Sequence, residues 1–485
     1  MAVVVSEIPV PFEGSGSGVG ELTWGQQNIW SRTLRTGRTM NLVVDMPLDE
    51  GVPVAELAGM LRFLVSRHPA LRTLLRFAPP AGRERPQQVV ADAGKVTLQV
   101  VDPGADDDLS DIVEQVRSQY ELEFFDYESE FPVRMAVVRS AGTPAHLVIG
   151  YSHVLVDGAG IQALARDLAH FDRAGGEAGT ATAPPPEAPT ALDVAKAQAA
   201  ATGRRQSARA VRHWAAQLDR LTDWQAADPP RAQEPRFWEL VGYSPAMEAA
   251  MRVVAARTGA GTTHVLLAAY AVAVARVFGR DPAVAQIVVS NRFRPGFADL
   301  ASQLSQHGIC VVDVAGASFD EVVARAEKSV TGASFAGYYD PAECDALLAQ
   351  AAVTNGRPLE IEWHLNDRRD KTGAGERTDS VPTAPEVSRL LPLSRWYWGR
   401  KAPIFDGALF LQVDSEPLMA ERRIAGESTP AVHLEVWTDT GLRAGADRGV
   451  HAGDGSGRRD GRSRRRERTP RGAGAWMTMT TLPRK

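Results

Sequence analysis

The chain has 485 residues, 44% of them apolar, and a net charge of −5. That is enough for two compact domains or one large two-part enzyme with sizeable cores, and it excludes the compositions of disordered and fibrous chains. Its two cysteines, Cys310 and Cys344, exclude a disulfide framework and a four-thiolate zinc site and fit a reducing cytoplasm.

The opening MAVVVSEIPVPFEG lacks a basic region and a long apolar run, so no signal peptide is expected. GSGSGVG (14–20) resembles a phosphate loop, but its glycines alternate and no apolar strand is expected before them. Residues 1–20 are expected to be a flexible entry, followed by a first lobe over 21–173. PVAELAGMLRFLVSRHPALRT (53–73) opens a helix at a proline and sets Val54, Leu57, Leu61, Leu64 and Val65 on one face. The acidic DDDLSDIVEQV starts another helix near residue 109. VRMAVVR (133–139) and HLVIGYS (146–152) read as strands, the second with almost no polar face, as suits a strand covered on both sides. From Gly158 the period turns helical through Ile161, Leu164, Ala165, Leu168 and Phe171.

AGGEAGTATAPPPEAPT (174–190) has the composition of a linker between lobes. A second lobe is expected over 191–440. Its helices include VRHWAAQL (211–218) and a pair from SPAMEAAMRVVAARTG through TTHVLLAAYAVAVARVFG. The apolar run within that pair, 265–278, carries Arg276 and is too short to span a bilayer, so it reads as a buried helix of a soluble, cytoplasmic protein. Strands are expected at 285–293, 308–314, 359–366, 407–415 and 431–437, and RWYWGR (395–400) reads as a packed aromatic loop. The mixture makes the fold class α+β. Residues 441–485 hold eleven Arg and one Lys against four acidic residues, a net of +8 that leaves −13 on the remainder. This stretch lacks the apolar periodicity to offset its ordering entropy. It reads as a basic, disordered tail or the out-of-frame end of a GC-rich gene, in preference to an arm for nucleic acid.

The chemistry sits in SHVLVDG (152–158), between strand and helix. A histidine there can face a cleft and exchange a proton near neutral pH. The bland alternative is a hydrogen-bonded histidine followed by a helix that Asp157 caps and Gly158 lets turn. No HExxH, GxSxG, Walker or Rossmann pattern competes with this stretch.

Several segments resemble, in one order, the condensation-domain family of nonribosomal peptide synthesis, within the chloramphenicol-acetyltransferase-like acyltransferases. They are LTWGQQNIW (22–30), RHPALRT (67–73), EFFDYESEFPVRMAVV (123–138), SHVLVDG against the family's HHxxxDG, VRHWAAQL and VVSNRFRPG. The resemblance covers about 20–440. It implies two acyltransferase-like lobes in a V around a central tunnel. It also implies an acyl or peptidyl carrier protein as partner, with a small-molecule amine or alcohol, or a second carrier-bound substrate, as nucleophile. No metal or redox cofactor is implied, since the phosphopantetheine arm belongs to the carrier. Neither membrane nor nucleic acid is an expected partner.

The same resemblance makes His153 the retained tunnel-facing histidine and general base, with backbone N–H groups near Gly158 as oxyanion donors. It makes Asp157 a structural residue paired with an arginine across the lobes. Arg292 is the best match for that arginine, with Arg294 and Arg67 as fallbacks. Ser152 replaces the first histidine and is expected to support the loop by hydrogen bonding. The expected function is a free-standing condensation enzyme forming an amide or ester bond in natural-product biosynthesis. The alternatives are a coenzyme-A-dependent acyltransferase of the same fold, and a non-catalytic module that recruits a carrier protein or tailoring enzyme.

Overall fold

The computed structural model describes residues 4–77, 84–104, 107–173, 182, 184–185, 187–221, 224, 232–369, 380–415 and 430–442. Most of the linker expected at 174–190, and all but the first two residues of the expected tail, lie outside the described residues. Contacts divide the chain into two units. One comprises Met1–Ala210, Val289–Gln306 and Tyr338–Glu343, and the other Val211–Val288, His307–Gly337 and Cys344–Lys485.

The first unit contains β1 (Val4–Glu13), β2 (Gly18–Glu21), α1 (Trp24–Thr36), β3 (Leu42–Pro47), α2 (Val54–Arg67), β4 (Thr73–Arg76), β5 (Gln87–Val90), β6 (Ala93–Asp102) and α3 (Leu109–Leu122). It continues with β7 (Val133–Ser140), β8 (Thr143–Tyr151), α4 (Gly158–Leu168), α5 (Ala191–Ala199) and the start of α6 (Ala201–Leu218). Its main sheet runs β1-β6-β7-β8-β3, with only β6 and β7 parallel, and a small sheet runs β2-β5-β4. Thr23 and Gln26 close a capping box at the start of α1, and Gly37 ends that helix in the left-handed region. The apolar face of α2 packs Leu57, Leu61, Leu64 and Val65 against Leu98, Met135, Val137, Leu147 and Ile149. On the opposite side α3 lays Ile112, Val113, Val116 and Tyr120 over Ala136, Val138 and Val148. Alternate residues of β8 therefore enter two cores, which is why its sequence lacks a polar face.

Two expectations are corrected in this unit. The entry expected over 1–20 is not loose from Val4 onward, since β1 pairs with β6 along its whole length and buries Val10 and Phe12. The fully buried Arg72 donates to the carbonyls of Ser15 and Ala91. A Cβ on Gly14 would collide with the Ser66 carbonyl and that guanidinium, so this glycine serves a close approach of two chain segments. The single lobe boundary is also replaced. Helix α5 belongs to the first unit because Gln198 accepts from Trp24 N, and 289–306 joins it through the contacts of Asp157 described below.

The second unit holds the rest of α6, β9 (Phe237–Ser244), α7 (Pro245–Thr258), α8 (Thr262–Phe278), α9 (Phe319–Phe335) and most of β10 (Ala283–Val289), β11 (Gln306–Val312) and α10 (Pro341–Asn355). After these come β12 (Trp363–Asp367), α11 (Ala384–Leu390), β13 (Arg395–Ala402), β14 (Leu409–Asp414) and β15 (Val432–Asp439). The sheet order is β11-β10-β12-β14-β15-β9-β13, parallel through β10, β12 and β14 and antiparallel from β14 to β13. Helix α8 buries Val265 through Leu267 and Tyr270 through Val274, as its apolar run predicts. Among the described residues no single helix is long and apolar enough to cross a membrane. RWYWGR is corrected from a packed loop to most of edge strand β13. Cys310 and Cys344 are buried and not joined in a disulfide, and burial pushes the Cys310 thiol up to about 12.

Candidate active site on the turn between β8 and α4

Strand β8 ends at Tyr151, and the chain turns at once. Ser152 N donates to the Pro132 carbonyl at 3.1 Å, and the Ser152 carbonyl accepts from Leu155 N and Val156 N at 3.0 Å each. The turn sends apolar residues into two cores. Val154 and Leu155 pack with Leu22, Ile29, Trp30, Phe125 and Tyr127, while Val156 enters the α2 core. Burying a side chain of Leu155's size contributes about 1.5–3 kcal/mol. Gln303 N donates to the Leu155 carbonyl at 2.9 Å. His153 therefore sits on a backbone held from both sides.

The His153 side chain is half-buried, with Nδ1 3.1 Å from the Val156 carbonyl oxygen. A carbonyl can only accept, so Nδ1 carries the proton and Nε2 keeps its lone pair. No protein group pairs with Nε2 among the described residues. Burial lowers the imidazole pKa below its ordinary 6.5. The Val156 carbonyl and the Asp157 charge oppose this without reversing it, and the Arg32 charge adds to it. The ring is thus a neutral base at neutral pH.

Asp157 is 1% exposed and accepts from six donors. Gly160 N (2.7 Å) and Arg292 Nη2 (2.7 Å) reach Oδ1. Arg292 Nη1 (3.0 Å), Leu304 N (3.0 Å), Ser305 N (2.9 Å) and Ser305 Oγ (2.7 Å) reach Oδ2. A carboxylate so fully engaged caps α4 and ties it to the β10–β11 connection; it has no capacity left for acid–base work. Arg292 also donates to the carbonyls of Ser290, Leu300 and Ser302. The expected Asp157–Arg292 pair is present, but the expectation that it crosses the lobes is corrected: both residues lie in the first unit. The fallback arginines are committed elsewhere. Arg294 lies over the Tyr338 ring, 4.1 Å from its centroid. Arg67 grips Asp167 through two bonds of 2.7 and 2.6 Å.

That last contact explains RHPALRT. His68 Nε2 lies 2.9 Å from Asp167, near the far end of α4. Burial alone would raise the Asp167 carboxyl, yet hydrogen bonds and charges from Arg67 and His68 hold it well below the usual carboxylate range. Helix α4 is thus held by a buried aspartate at each end, and its second anchor escaped the sequence reading.

Ser152 is fully buried and supports the turn by hydrogen bonding through its backbone, with its side chain interacting with that of Tyr127. One role assigned from sequence is corrected. Gly158 does not serve the turn, because its φ is not left-handed and a Cβ there would meet nothing within 4 Å. The glycine that packing requires is Gly160, where a Cβ would lie 3.1 Å from Val156 Cγ1 and 3.2 Å from both Asp157 Oδ1 and Ser302 N. Gly25 is similar, its Cβ direction filled by Gln303 O at 2.8 Å and Leu304 Cα at 2.9 Å. Gly160→Ala should therefore cost about 1–3 kcal/mol in thermal or denaturant unfolding, whereas Gly158→Ala should stay within about 0.5 kcal/mol of wild type. The reverse order would contradict this packing.

The N–H groups of Gly158 and Ala159 open α4 without intrahelical partners, and none takes another protein acceptor among the described residues. They can receive developing negative charge near the histidine turn. Among the described residues no cluster of His, Cys, Asp and Glu has metal-ligating geometry.

The chain resembles known proteins in sequence and fold. A family model described as a condensation domain matches residues 21–303. The phosphinothricin tripeptide synthetase PhsC of Streptomyces viridochromogenes is 24% identical over 401 residues, 79% of this chain. The chain spans 35% of that synthetase and 4% of a similar polyketide synthase-nonribosomal peptide synthetase of Aspergillus clavatus. The X-domain solved in complex with OxyB from teicoplanin biosynthesis has a TM-score of 0.64 at 17% identity, covering 91% of this chain and 98% of that one. The first condensation domain of the CDA synthetase gives 0.63 at 15%, covering 89% and 93%. At such identities the likeness to solved structures is one of fold, α+β of the chloramphenicol-acetyltransferase-like kind. The family match spans more than half of the sequence and includes the whole histidine turn, so the chain belongs to the condensation-domain family.

Proposed function

We propose that this protein is an acyltransferase that joins a carrier-bound acyl thioester to an amine or alcohol. The observation that carries this reading is the neutral His153 ring, with Nδ1 bonded to the Val156 carbonyl and Nε2 free to take a proton. The nucleophile's nitrogen or oxygen attacks the thioester carbonyl carbon as Nε2 removes its proton. The N–H groups of Gly158 and Ala159 stabilise the tetrahedral oxyanion. Collapse breaks the carbon–sulfur bond, and the departing phosphopantetheine thiolate takes the proton back from His153. The carrier supplies the phosphopantetheine arm, and the chain's own residues supply the base and the oxyanion donors.

Acyl-loaded carriers should be offered in trans with a panel of amines and alcohols and followed by intact-protein mass spectrometry. Acyl loss with matching product for wild type, absent for His153→Ala, is the expected outcome, and product mass separates amide from ester. Transfer from an acyl-coenzyme A alone would favour the coenzyme-A-dependent alternative.

A second reading has two observations in its favour. The X-domain that shares this fold was solved bound to OxyB, and Ser152 replaces one signature histidine. A recruitment module would retain a carrier or a tailoring enzyme without turning over any loaded carrier.

A further inference from the structure

Strand β13 ends the seven-stranded sheet, paired with β9 on one side and with no strand on the other among the described residues. Edge strands are commonly blunted by bulges, lysines or prolines. Strand β13 carries one irregularity, between Trp398 and Lys401, and a lysine near its end, but its ladder from Arg395 to Trp398 is regular and stays open. This edge also displays large apolar groups, since Leu393, Tyr397, Trp398 and Ile404 are all exposed within one short stretch.

The side chains are ordered into a row. The Trp396 ring lies across Gly242 of β9, where any Cβ would collide with it. Trp398 meets Trp238 edge-on with centroids 5.5 Å apart, and Lys401 Nζ sits 3.6 Å from the Trp238 centroid. Three indoles therefore share one face, with a cation at its end. Among the described residues the Arg395 guanidinium bonds only to the carbonyls of Pro392 and Ser394. Neither Arg395 nor Lys401 has a carboxylate partner among the described residues. Residues 389–404 contain three Arg and one Lys and no acidic residue, in a chain of net charge −5.

We propose that the outer edge of β13 docks an extended, acidic segment of a partner protein, which adds to the sheet as a further strand. Only another peptide backbone can pair with the alternating N–H and C=O groups of an open edge. The cations select carboxylates, and the indoles supply the amphipathic contact area typical of interface centres. A single-stranded nucleic acid would use the cations and indoles but leave the strand edge unpaired. The inference concerns the second unit alone and stands whether or not His153 is catalytic.

Random twelve-residue peptides displayed against the full chain test it, with an Arg395→Glu/Lys401→Glu double variant as the control. Both substitutions lie at exposed positions, and circular dichroism verifies that the variant is folded. The expected result is enrichment of peptides rich in Asp and Glu alternating with apolar residues. The double variant should bind them about tenfold or more weakly, and N-methylation of alternate peptide amides should weaken them similarly. Three results would each overturn the proposal: no enrichment, equal binding by the double variant, or binding insensitive to N-methylation. Displacement of the bound peptide by a thymidine oligonucleotide of higher affinity would assign the surface to nucleic acid instead.

Discussion

Asp157→Ala should destabilise the first unit by about 3–5 kcal/mol, because it strands a largely buried guanidinium and removes the acceptor for four further donors, three from Leu304 and Ser305 and one from Gly160. Urea unfolding measures this directly. Asp157→Asn keeps the volume but turns one acceptor oxygen into a donor facing donors, so it should fall in the same range. Pairing Asp157→Ala with Arg292→Leu should cost less than the sum of the two single changes, since the second removes the orphaned charge created by the first. Activity should fall with stability, because the carboxylate fixes the α4 start and through it the histidine turn. A loss of under about 1 kcal/mol for Asp157→Ala would contradict a structural role.

His153→Ala should lower condensation by about 10²–10⁴-fold, the usual contribution of a general base. Its melting temperature should stay near that of wild type, because Val154, Leu155 and Val156, not the imidazole, pin the turn. The pH profile offers a second check. Burial lowers the folded-state pKa of His153 beneath 6.5, so the rate should hold through neutrality and its acid limb should lie below that value. The linked stability has the same sign. The fold prefers the neutral ring, so this contribution is complete above the unfolded pKa and fades as pH falls from there towards the folded value. An acid limb centred above pH 7, or an unchanged rate in His153→Ala, would remove His153 from the base role.

Elements with strong periodicity were legible in the sequence. The α2 stripe, the two-sided β8 and the buried α8 stand close to where apolar spacing placed them. Strand β1 was hidden by Pro9 and Pro11, residues that argue against a central strand; it is an edge strand, where proline is tolerated. Strand β13 was hidden by its own composition, since a half-exposed aromatic edge alternates too weakly to signal burial. His153 and its neighbours were legible because the signature is contiguous. The remaining partners of Asp157 were not. Leu304 and Ser305 contribute backbone groups, and no side-chain pattern marks a main-chain donor. Gly160 was overlooked beside Gly158 because spacing alone does not tell which glycine faces a neighbouring chain.

The distance along the chain between Asp157 and its donors has a consequence for the order of synthesis. Its farthest partner follows it by 148 residues, so a ribosome releases the whole β8–α4 segment long before residues 292–305 exist to receive it. Until then the aspartate has its helix cap and little else, and the turn bearing His153 packs on earlier residues but lacks the hydrogen bond from Gln303. A chain stopped at residue 288 should therefore form β8 and its neighbours yet leave the histidine turn unsettled. The histidine turn is among the early segments to be made and among the last of the first unit to become rigid, since it waits for residues 292–305, which the ribosome reaches only after the Val211–Val288 stretch of the second unit.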